Sequence, residues 1–152
     1  MPSLVTLLDG LAAAVLTVLA ITDLRSRKLP REWMFLLIAL TLLRTMAAGG
    51  LAGLAIALAS GAIAAGPIWA LRLALPPGDP RWRLGGGDLR LAFALGIWLG
   101  ALPALFILAV GSALAGLFGL AAASLGRGLD RSQPLGTWCI AVLAAGWLMT
   151  WL

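Results

Sequence analysis

A chain of 152 residues that is 62% hydrophobic and only 11% charged has too few polar side chains to cover a water-facing surface, since soluble domains carry about 25% charged residues. That composition excludes a soluble globular domain and predicts an all-α integral membrane protein, with residues 1–152 as a single membrane-embedded domain. The net charge of +5 describes topology and not a nucleic-acid partner, because ten of the eleven basic residues fall in the short segments 23–32, 72–90 and 126–134.

The first apolar run, 4–22, has no Lys or Arg before it, while Arg25, Arg27, Lys28 and Arg31 follow it. This is the charge order of an uncleaved anchor with its N-terminus outside, so the run is expected to be a retained span. The next run, 33–74, is 42 residues long and would reach roughly 63 Å as one helix against a hydrocarbon core of about 30 Å. It has to turn, and Gly49-Gly50 is the natural corner because glycine reaches positive φ. Run 91–125 is too long in the same way, with its corner expected at Gly100 to Pro103. Run 135–152 supplies a final span. The prediction is a bundle of six transmembrane helices at about 4–22, 33–48, 51–74, 89–102, 104–125 and 135–152. Small residues spaced by four, Gly49 with Gly53, Gly96 with Gly100 and Ser112 with Gly116, read as close helix packing.

Six spans put the three basic segments on one side, which should be cytoplasmic, and both chain ends on the other. Asp23 and Asp88 then lie at the same boundary, each at the junction of an apolar run and a basic loop. Ionisable groups at that depth are costly and point to function. Taken alone, Asp23 reads equally well as an incidental residue at a membrane exit. Asp88, after Gly85-Gly86-Gly87, reads alone as an N-cap opening the next helix. As a pair on different helices they have the makings of two carboxyls sharing one proton, an acid and a base side by side. Such a dyad activates water for attack on a peptide carbonyl with no metal and no side-chain nucleophile. Glycines 85 to 87 would let an extended substrate backbone approach Asp88, or else serve as a loop hinge.

Other polar positions carry less. With no histidine and a single cysteine, Cys139, the chain is not expected to form internal disulfides, zinc sites or His-dependent triads, and no metal or cofactor is expected. Cys139 reads as a small buried packing residue. Asp9 lies 14 residues before Asp23, about 21 Å along a helix axis, and so belongs near the outer boundary. Arg44 either snorkels outward or pairs with Asp9. Trp33, Trp82, Trp138 and Trp151 fit interfacial belts, and the basic loops meet anionic lipid headgroups.

The pairing of Asp23-Leu-Arg-Ser-Arg-Lys-Leu-Pro30 with Gly85-Gly-Gly-Asp-Leu-Arg-Leu91 resembles the type IV prepilin peptidase family, in particular its short members that process Flp-type pilins. The resemblance implies an aspartic endopeptidase of the bacterial inner membrane that removes a basic leader from a prepilin or pseudopilin at the cytoplasmic face. Asp23 and Asp88 would be its catalytic pair, and Gly85, Gly86, Gly87 and Arg90 motif positions near substrate. Two departures stand out. Arg90 replaces the Lys that is common two residues after the second Asp, which keeps charge but changes hydrogen-bond geometry. Pro134-Leu135-Gly136 is a loose match to a Pro-aromatic-Gly element and is assigned no role. The cysteine-rich segment of the long, methylating members is missing, so methylation is not expected. Two other readings stay open at this stage, a presenilin-like intramembrane protease and a small transporter or assembly scaffold whose Asp pair binds an ion or proton. Whether the chain forms a homo-oligomer is likewise open.

Overall fold

The computed structural model describes residues 3–26, 29–74, 86–125 and 135–149, and within them nearly every residue is helical and none lies in a strand. In order the helices are α1 (Leu4–Ser26), α2 (Arg31–Ala74), α3 (Gly86–Leu99), α4 (Ala101–Ser124) and α5 (Leu135–Met149). Expected features at 75–85, 126–134 and 150–152, among them Trp82, Trp151 and Gly85, lie outside the described residues.

Helix α1 starts on Ser3, whose hydroxyl accepts the Thr6 N–H at 3.3 Å, the usual means of satisfying an orphan donor in a first turn. It runs one turn past the expected exit at Thr22. The hydroxyl of Thr22 donates to Val18 O and Leu19 O and that of Ser26 donates to Thr22 O, so these polar residues satisfy themselves on the helix instead of ending it. The chain then restarts after Pro30, whose carbonyl accepts the Met34 N–H.

Helix α2 is broken at Gly50, where φ is 59° and ψ is −153°, a backbone region open essentially to glycine alone. The break reverses the chain. A Cβ built on Gly53 would lie 3.6 Å from the Thr45 carbonyl oxygen, whereas eight residues of unbroken helix would separate the two by about 12 Å. Contacts to α3 agree. The first arm, 31–49, runs alongside α3, with Phe35 near Arg90 and Arg44 beside Asp9, which also binds Trp98. The second arm, 51–74, runs against it, with Gly61 near Ile97 and Trp69 near Leu89 and Arg90. Gly100, at φ 89°, separates α3 from α4 at the expected corner.

Small residues let these arms approach closely. Gly96 of α3 faces Ser60, Gly61 and Ala64, and Gly61 faces Phe93 and Ile97. Gly96 therefore packs against another helix's glycine, while Gly49 and Gly116, expected to pack closely, have open space around them. The buried core gathers Leu19 of α1, Met34 and Leu37 of α2, Leu91 and Leu95 of α3, Ala104 of α4 and Cys139 of α5. Outside that core the surface is strongly apolar: Leu51, Phe106 and Leu102 are among many exposed large side chains. Helices α1, α2 and α4 are long and apolar enough to cross a membrane, and a lipid-facing exterior accounts for the apolar surface.

Candidate functional site

The bundle has two polar ends. At one, Asp9 of α1 accepts a 2.7 Å bond from the Trp98 indole N–H and a 3.2 Å bond from Arg44 Nε, tying α1, α2 and α3 together. Pairing with Asp9 is therefore the geometry Arg44 adopts. Trp98 is an addition that hydropathy could not supply.

Asp23 lies at the other end, 5% exposed in the last turns of α1. Burying a carboxylate is costly unless hydrogen bonds compensate, and here they come from α5. Oδ2 of Asp23 accepts the backbone N–H of Thr137 at 3.0 Å and its hydroxyl at 3.2 Å. Thr137 sits in the first turn of α5, where N–H groups have no partner within the helix. A carboxylate from α1 thus caps α5 from 114 residues away.

Asp88 is half-buried in the first turn of α3. The helix begins at Gly86, so the residue is inside the first turn and not at the cap. Its neighbour Gly87 packs on Leu29, six residues beyond Asp23: a Cβ at Gly87 would lie 3.1 Å from both Cβ and Cδ1 of that leucine. Gly86 has nothing within 4 Å of its Cβ position. The residue before Asp88 thus touches the segment that follows Asp23 and α1. Cys139 is fully buried on α5, two residues after Thr137.

The guanidinium of Arg90 lies 5.6 Å from the centre of the Phe35 ring, a cation–π distance. It also borders an apolar groove of about 310 Å³ lined by Ala62, Ala65, Gly66, Trp69, Leu89 and Phe93. Among the described residues no three Cys, Asp or Glu side chains gather as a metal-ligand set. A carboxylate held in a mostly apolar bundle can take up and give back a proton.

A helical membrane protein with one aspartate in the last turns of α1 and another in the first turn of α3 is the class these observations define. A sequence model of the type IV leader peptidase family matches residues 10–120, and the chain belongs to that family. The match includes Asp23 and Asp88 and ends before α5. No curated protein and no solved structure matches the chain. Membership makes it a leader-peptidase-like membrane protease.

Proposed function

We propose that the protein is an aspartic endopeptidase that removes the leader from type IV or Flp-type prepilins and pseudopilins, using Asp23 and Asp88 as a catalytic dyad. What supports the reading is the Leu29–Gly87 contact, which brings the segment after Asp23 against the start of α3 beside Asp88, with both aspartates inside the family match. The ionised Asp takes a proton from water as the water oxygen bonds to the scissile carbonyl carbon. The protonated partner donates to the carbonyl oxygen and so stabilises the tetrahedral intermediate. Collapse breaks the C–N bond, and the departing amine leaves with a proton from the dyad. Gly86, with open space at its Cβ position, lets an extended substrate backbone approach the Asp88 side of the site.

In this reading the chain crosses the bacterial inner membrane six times, each arm of α2 crossing once. The positive-inside rule sets the basic segments, and with them the dyad, on the cytoplasmic side, and both chain ends on the outer side. A leader that remains in the cytoplasm during membrane insertion is accessible from that side.

Co-expression in membranes with a candidate prepilin, scoring leader removal by mass, tests the proposal. The parent should cleave at one bond, while Asp23→Asn and Asp88→Asn, present at equal abundance, should leave the precursor intact. Cleavage by both variants would overturn the dyad.

A further inference from the structure

We propose that Thr137 is a positioning residue of the peptidase, fixing the Asp23 carboxylate so that one oxygen is held by α5 and the other is left for the attacking water. The inference rests on the dyad reading and adds to it a residue outside the segment that matches the family.

A carboxylate offers about four lone-pair sites on two oxygens, and an aspartate free to rotate about its χ angles would present either oxygen to solvent. Asp23 is constrained. Both donors of Thr137 fall on Oδ2, one of them a backbone N–H that cannot reorient or accept a proton in return. The pair differs from four other threonines of the bundle: the hydroxyls of Thr17, Thr22, Thr41 and Thr45 all donate to carbonyls of their own helices. Only the Thr137 hydroxyl, among these, reaches a carboxylate.

The donor is itself held in place. Two residues along α5, Cys139 is completely buried against Gly111 of α4, so closely that a Cβ on Gly111 would stand 2.8 Å from the thiol sulfur and 3.0 Å from the Cys139 nitrogen. That crossing clamps α5 to α4 immediately beside the Thr137–Asp23 bonds. Misplacing a catalytic group by about 1 Å can cost roughly 100-fold in rate, and a clamped helix with two donors on one oxygen is suited to prevent it.

A purely structural cap would use the same bonds, and the two roles separate in kinetics. With purified protein in lipid nanodiscs and a synthetic prepilin peptide spanning the leader junction, kcat and KM would be measured for the parent, Thr137→Val and Thr137→Ser, with thermal unfolding of each and Asp23→Asn and Asp88→Asn in parallel. Expected is a fall in kcat of roughly 10- to 100-fold for Thr137→Val, with KM within about twofold, as for a residue that orients the catalytic carboxylate without touching substrate. Thr137→Ser should recover most of the rate, because it keeps both donors. Unchanged kcat in Thr137→Val, or a loss that follows unfolding and is not recovered by serine, overturns the positioning role while leaving the dyad standing if both Asp variants are dead. Cleavage by both Asp variants overturns the dyad, and the positioning role with it.

Discussion

Gly96 has no room for a methyl group, and the consequence can be worked out from the α2–α3 crossing. Alanine there would put its Cβ 2.6 Å from the Ser60 carbonyl oxygen, 2.7 Å from Gly61 Cα and 2.8 Å from Ala64 Cβ. None of the three is the tip of a side chain that could rotate away, so the helices would have to part by several tenths of an ångström. Overpacking of this kind costs about 1–3 kcal/mol, while alanine gains about 1 kcal/mol over glycine in a helix interior. Gly10 provides the reference. It is exposed on α1 with nothing within 4 Å of its Cβ position, so Gly10→Ala keeps the propensity gain without the clash. Unfolding of both variants in one detergent, followed by helical circular dichroism, should place Gly96→Ala about 1–3 kcal/mol below Gly10→Ala. Because α3 carries Asp88, cleavage should fall in Gly96→Ala and not in Gly10→Ala. Equal stability of the two variants would refute the close crossing.

Gly50→Ala should destabilise by about 1–3 kcal/mol in the same unfolding assay, since φ 59° with ψ −153° is strained for any side chain. Trp98→Phe removes the indole donor to Asp9 and should cost about 1 kcal/mol of stability with leader cleavage retained, because the bond lies at the end of the bundle away from Asp23. Arg90→Lys should keep cleavage within a few-fold, as lysine can also sit over the Phe35 ring. Phe35→Leu should weaken the site by about 0.5–1 kcal/mol, the worth of an exposed cation–π contact, read as a modest rise in KM.

How much of this was legible in the sequence differs by feature. Gly50 and Gly100 could be read as corners because apolar runs longer than a bilayer must break, and glycine is the residue that breaks them at positive φ. Asp23 and Asp88 stood out because carboxylates are rare in such a composition, while for Arg44 the sequence left snorkelling and pairing with Asp9 both open, and the pair is what forms. The expected end of α1 at Thr22 comes too early, since Thr22 and Ser26 beyond it satisfy their hydroxyls on the helix itself. Glycine pairs spaced by four pointed to packing but not to the partner: Gly96 meets Gly61 from another helix, and no local spacing encodes that meeting. Thr137 was invisible for the same reason. Threonines in apolar helices ordinarily bond their own backbone, as Thr17 and Thr45 do, and its tie to Asp23 exists only once α1 and α5 pack together.

The most direct measurement is a double-mutant comparison of cleavage rates for Asp23→Asn, Asp88→Asn and the two combined, using purified protein in nanodiscs and the same prepilin peptide. If the two carboxylates act as one unit, each single substitution removes nearly all activity and the double loses no more, the non-additivity expected of groups that perform one chemical step. Rate losses that multiply, or either single variant cleaving at near the parent's rate, would contradict a shared dyad.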